Sequence, residues 1–111
     1  MTLFGAGPTR RLGRGRTAAV DGGALTDAEI IAWSAEDPEL FSAIIDRHAR
    51  RVHRRLARRL GVPAADELVA ETFLAAFRLR NRFDIAQADA RPWLDGLATE
   101  LAIRYQAAGR T

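Results

Sequence analysis

The stretch from Asp37 to Gly61 is punctuated as a single long helix, and it constrains the fold more than any other part of the chain. Asp37 suits an N-cap, Pro38 suits the first turn, and Glu39 favours the positive end of the helix dipole. Phe41, Ile44, Ile45, Ala49, Val52, Leu56 and Leu60 then recur at three- and four-residue steps and lay one apolar stripe along the helix. Gly61 closes the run as a C-terminal cap, and Val62-Pro63 is a break.

The same punctuation recurs on either side. Thr26-Asp27-Ala28-Glu29 is a capping box, and a short helix follows it to about Ala35 with Ile30, Ile31 and Trp33 apolar. A third helix is predicted over about Ala64 to Leu79, with Leu68, Val69, Phe73, Ala76 and Phe77 in its buried stripe. Asp66, Glu67 and Glu71 put negative charge near its N-terminus, where the dipole welcomes it. Residues 81–91 form a loop. Pro92 opens a fourth helix, expected to fray before Gly109, with Trp93, Leu94, Leu97, Leu101 and Tyr105 on its apolar face and Trp93 assigned to the core. No segment alternates like a strand. The prediction is an all-α fold, a compact bundle of about four helices over residues 25–111. Residues 1–24 are Gly-rich, carry Arg10, Arg11, Arg14 and Arg16, and have almost no large apolar residue after Phe4, so they read as a disordered basic tail.

Composition narrows the function classes. All 17 basic side chains are arginine, which reads first as a compositional bias. Beyond residue 24 there are 13 arginines against 13 acids, so any nucleic-acid contact in the folded part must come from a local patch and not from the overall field. The absence of cysteine excludes disulfides and thiolate zinc sites and suits a reducing cytoplasm, the expected location. No apolar run approaches the ~18 residues of a membrane span, so no membrane association is expected. The first residues lack the apolar core of a secretory signal. They are Arg-rich and acid-free, as transit peptides are, but their glycines and lack of amphipathic period argue against one.

Nothing points to an enzyme. His48 and His53 are five apart, do not share a helix face and lack His-Glu-x-x-His spacing, so they read as helix-surface or boundary histidines. Glu67 and Glu71 do share a face, but no nucleophile elbow or phosphate-binding glycine loop accompanies them, and they read as a solvated or partner-facing acidic edge. No catalytic residue, metal, cofactor or small-molecule substrate is expected. Arg47, Arg50, Arg51, Arg54, Arg55 and Arg58 crowd the polar side of the second helix. Two readings stand for them: a solvated face whose stems cover apolar surface, or a surface for phosphates or an acidic partner.

Three stretches resemble, in order and spacing, the core domain (region 2) of the extracytoplasmic-function group of bacterial sigma-70 factors. They are DPELFSAIIDRHARRVHRRLARRLG, DELVAETFLAAFRLRNRFD and ARPWLDGLATELA, and the resemblance covers about Asp27 to Tyr105. The middle motif is the most specific. The resemblance implies that Glu67, Glu71, Phe73 and Phe77 dock on the clamp helices of the RNA polymerase β′ subunit, and that an anti-sigma factor is a further partner for that surface. It also implies that the loop Asp84–Arg91 captures an unstacked base of the minus-ten element on the non-template strand of promoter DNA. Asp84, Ile85, Gln87, Asp89, Arg91, Thr99 and Arg104 are then the expected DNA contacts, since extruding a base needs a pocket and phosphate contacts to offset its cost.

The sequence departs from the family at several of these places. Ala70 stands where the family carries glutamine, and Thr99-Glu100 where it carries Arg-Asn. Asp95 and Glu100 bring negative charge beside the expected DNA path, and the family's Arg-rich helix end is reduced to YQAAGR. The sequence is expected to carry the core domain alone, as a fragment or in its own right. These departures favour an alternative: a non-enzymatic regulator that occupies polymerase, or an anti-sigma factor, without opening DNA.

Overall fold

The computed structural model describes residues 24–109, and the expected basic tail therefore lies outside the described residues apart from Ala24. Among the described residues there are four α-helices and no strand: α1 (Asp27–Trp33), α2 (Ser42–Leu60), α3 (Val62–Arg78) and α4 (Arg91–Gly109). The all-α prediction is thus met. No helix among the described residues is long and apolar enough to cross a membrane.

Most local signals act as chemistry says they should, although the Asp37 side chain makes no cap hydrogen bond. In α1 the Thr26 hydroxyl accepts from the Glu29 amide at 3.1 Å, and the Glu29 carboxylate accepts from the Thr26 amide at 2.9 Å. Two orphan donors at the helix start are satisfied reciprocally. The long second helix is divided at its start. Pro38–Phe41 winds as a 3-10 turn before α2 proper begins at Ser42. Pro38 stands at the first position of that turn, where its missing amide costs nothing. Gly61 ends α2 at φ +91°, a conformation that a Cβ disfavours. Its amide still reaches the Ala57 carbonyl at 2.8 Å, while its own carbonyl accepts from Ala65 at 3.1 Å in α3. One residue therefore closes one helix and opens the next, folding α2 and α3 into a hairpin.

α2 packs most extensively on α3, and α4 lies against both. The residues α2 buries are Ala43, Ile44, His48, Val52 and Leu56. His48 is thus no surface residue: it stands four residues after Ile44 and four before Val52, on the apolar stripe itself. α3 buries Ala65, Leu68, Thr72, Phe73 and Ala76, and the Thr72 hydroxyl donates to the Leu68 carbonyl at 2.8 Å. That bond keeps a fully buried polar group satisfied.

α4 differs from its prediction in two respects. Its buried residues are Leu94, Ala98 and Ala102, whereas Trp93, Leu97 and Leu101 are only partly covered and Tyr105 is exposed. Alanines at the contact let the backbones of α4 and its neighbours approach closely, which gives the seam to the small residues and not to the larger ones beside them. The helix also continues to Gly109 without fraying. Leu56 is 2% exposed at the middle of the core. Leu56→Ala is expected to cost about 2–5 kcal/mol. Urea unfolding monitored by circular dichroism measures it, and a loss below about 1 kcal/mol would contradict this packing.

Candidate functional site

Two surfaces deserve the name of candidate site, and each is built by the packing just described. The first runs along α3. Glu67, Glu71, Leu74 and Arg78 are all exposed and follow one another at helical spacing, so they form a single ridge. None of the three charged side chains has an ion-pair or hydrogen-bond partner among the described residues.

Beside that ridge, α2 and α3 leave an open groove of about 590 Å³. Phe41, Ile45, Ala49, Val69, Leu74 and Phe77 line it, and its surface is almost wholly apolar. Phe41 and Phe77 meet edge-to-face with ring centroids 5.4 Å apart, and the Arg80 guanidinium lies over the Phe77 ring, 3.9 Å from its centroid. Of the four expected polymerase-docking residues, Glu67 and Glu71 stand on the ridge and Phe77 is half-buried in the groove wall. Phe73 is 5% exposed, belongs to the core, and also lines the groove. The sequence reading missed Ile45 and Leu74 as surface residues. Leu74 lies off the Leu68–Thr72–Ala76 stripe, which is a usable signal for a large apolar residue without an internal partner.

The second surface is the loop between α3 and α4. After a short 3-10 turn at Arg80–Arg82, Phe83 is buried against Trp93, with centroids 5.1 Å apart. Trp93 is half-covered and serves as a buttress to the loop more than as a core residue. The next residues make a tight turn: the Gln87 amide donates to the Asp84 carbonyl at 2.9 Å, and the Ala86 amide to the Asp84 carboxylate at 3.0 Å. Ile85 stands at the tip, 63% exposed. Asp89 accepts from the Arg91 amide at 2.9 Å at the start of α4.

The expected DNA contacts therefore divide into groups. Ile85, Gln87 and Arg91 present exposed side chains with no internal partner among the described residues. Asp84 and Asp89 are exposed, but one oxygen of each shapes the loop's own backbone. Thr99 and Arg104 have internal partners: Thr99 is half-buried and accepts from Arg55 at 3.2 Å, and Arg104 pairs with Glu100 at 2.8 Å on the surface. Asp95 is not a free charge beside a DNA path, since Arg51 holds it at 2.9 Å and Arg55 reaches it at 4.0 Å.

The arginine face of α2 accordingly splits into two stripes. Arg47, Arg51 and Arg55 turn towards α1 and α4 and pair with Asp27, Asp95 and Thr99. Arg50, Arg54 and Arg58 are exposed and unpartnered among the described residues. Arg55, Arg58 and Arg59 share with Thr99 a cleft of about 310 Å³ between α2 and α4.

A buried ionic relay lies behind the loop. The Asp27 carboxylate accepts from Arg47 at 3.0 Å, from His48 Nε2 at 2.8 Å and from the Ala90 amide at 2.8 Å. Burial alone would push the Asp27 carboxyl up. The hydrogen bonds from His48, the Ala90 amide and Arg47 outweigh it and hold the carboxyl well below the usual carboxylate range. A depressed carboxyl adds stability that is fully present above its unfolded value of about 3.9 and is lost as pH falls through that value towards the folded one. Urea midpoints from about pH 6 to about pH 2 are expected to fall less steeply in Asp27→Asn than in the wild type; equal acid slopes would exclude this role. Asp27, His48 and Asp89 bring their ligand atoms within 4.8 Å of one another. This is no metal site: both Asp27 oxygens already face N–H donors, one of them a guanidinium whose charge would repel a cation.

Among known families, the sigma-70 region 2 model matches residues 44–110, more than half of the chain. That span holds the ridge, the loop, α4 up to its end and the α3 wall of the groove, but not Phe41. No curated protein and no solved structure matches. On the family match the chain belongs to the sigma-70 region 2 family and takes part in transcription initiation with RNA polymerase and promoter DNA.

Proposed function

We propose that this domain works as the core of an extracytoplasmic-function sigma factor, docking on the β′ clamp helices and holding the minus-ten element open. The observation that carries the reading is the row Glu67–Glu71 set beside the apolar groove. An exposed rim of charge around an apolar centre is the anatomy of a transient protein interface. The carboxylates would face basic side chains of the clamp helices while Leu74 and Phe77 supply burial. An anti-sigma factor would compete for the same ridge.

The DNA step rests on the loop. Its ends are fixed and its tip exposes Ile85, Ala86 and Gln87. Beside it, a cleft of about 490 Å³ is lined by Ile31, Arg78, Arg80, Asn81, Phe83 and Ile85, apolar walls with amide and guanidinium donors. Such a mixture suits a base that has left its stack, whose face needs apolar cover and whose edge needs donors. Arg91 and the unpartnered arginines of α2 are free to meet phosphates.

One set of observations favours the second reading, a regulator that occupies polymerase without opening DNA. Thr99 and Arg104, two of the expected strand contacts, are engaged internally. A single experiment separates the readings. The purified chain is added to core polymerase on a supercoiled promoter, and unpaired thymines are scored by permanganate. Reactivity that requires the chain supports the sigma reading. Polymerase binding without reactivity would transfer support to the regulator.

A further inference from the structure

We infer that Asp27 is a positioning residue for the recognition loop: its buried carboxylate receives the Ala90 amide and so fixes where residues 84–87 stand. This rests on the proposed reading of that loop as a nucleic-acid contact. Asp27 opens α1, 63 residues before Ala90, and is itself buried. Its neighbour contributes a second tie, the Ala28 amide donating to the Ala88 carbonyl at 3.1 Å. Two consecutive residues at the start of α1 thus hold the last turn of the loop, and the Ala90 carbonyl in turn receives the Leu94 amide at 2.9 Å in α4.

The carboxylate is itself aimed by a chain of donors. A guanidinium can only donate, so the Arg51 Nη1 contact with His48 Nδ1 makes that ring nitrogen the acceptor. Nε2 then carries the proton and donates to Asp27. The same Arg51 grips Asp95 of α4 through Nη2 at 2.9 Å. The relay Ala90–Asp27–His48–Arg51–Asp95 runs from the loop through α1 and α2 and returns to α4 five residues beyond its start. It locks the loop to the helix that follows it, from the side opposite the exposed tip. The groove and ridge of α3 contribute no member to the relay.

That separation makes the inference testable. Asn offers one acceptor oxygen where Asp27 offers two, so Asp27→Asn must turn an NH2 towards Arg47 or towards the His48 and Ala90 donors. The full chain carrying Asp27→Asn is expected to hold short single-stranded DNA of random sequence, in complex with core polymerase, about tenfold less tightly than the wild type. Its affinity for a β′ clamp-helix fragment should be unchanged, and the Ala90 amide should exchange faster with solvent. His48→Gln, which keeps an N–H donor, should retain DNA binding that His48→Ala loses, and this pair decides the matter should Asp27→Asn fail to fold. Parallel loss of both affinities, tracking the fall in melting temperature, would reduce Asp27 to a stabilising residue and overturn the inference, as would unchanged DNA binding. If the wild type ignores DNA altogether, the loop's proposed role fails on its own account. Ala90 exchange then still decides whether Asp27 sets the loop: acceleration in Asp27→Asn upholds it and unchanged protection ends it.

Discussion

Glu71→Arg is expected to weaken binding to the β′ clamp-helix fragment by about 100-fold while leaving the melting temperature unchanged. Glu71 is exposed and has no internal partner, so its replacement removes nothing from the folded state. At an interface the reversal acts twice, deleting an attraction and placing like charges together. Glu67 lies one turn away on the same ridge, and Glu67→Arg should act in the same direction. The substitution differs in kind from Phe73→Ala. Phe73 is buried, and its truncation is expected to cost about 3–5 kcal/mol of stability, so any lost binding there would follow from unfolding. A pull-down of wild type beside Glu71→Arg reads the ridge directly. Equal retention of the two proteins would remove α3 as the docking element.

The second large effect is expected in the loop. Asp84→Ala combined with Arg91→Ala should lower promoter opening by about 10- to 100-fold with little change in polymerase affinity. The two residues act differently. Asp84 caps the turn that carries Ile85, through its bond from the Ala86 amide, so its loss frees the tip. Arg91 has an exposed, unpartnered side chain, and its loss should reduce the salt dependence of DNA binding by about one phosphate's worth. Permanganate reactivity and the slope of affinity against salt measure the two parts separately. Full opening by the double variant would withdraw the loop assignment.

The helices were legible in the sequence because their signals are local. The Thr26 capping box, Pro38, Gly61 and the three- and four-residue apolar steps each act within a turn or two of chain, and each appears in the fold. Errors arose where partners are distant. Nothing near His48 in the chain announces Asp27, which lies 21 residues before it, and only its register with Ile44 and Val52 hinted at burial. The arginines of α2 looked uniform, yet Arg47, Arg51 and Arg55 form one row paired to neighbouring helices while Arg50, Arg54 and Arg58 form a second row facing outward. Asp95 and Glu100 read as repulsive charges because their cations sit 44 residues upstream in one case and one turn downstream in the other. Of the site, the acidic ridge was visible as helical spacing. The groove was not, since it exists only once α2 and α3 lie side by side.

The single-residue joint at Gly61 makes the α2–α3 hairpin a lever. The groove residues Ile45 and Phe77 each stand 16 positions from Gly61, at the open end of the hairpin. At 1.5 Å per residue that arm is about 24 Å long. A rotation of only about 5° at the joint would move the groove walls by about 2 Å, the scale on which a side chain fits or clashes. A substitution that shifts this joint, where a φ of +91° leaves little choice of replacement, is therefore expected to change the groove width from the closed end of the hairpin.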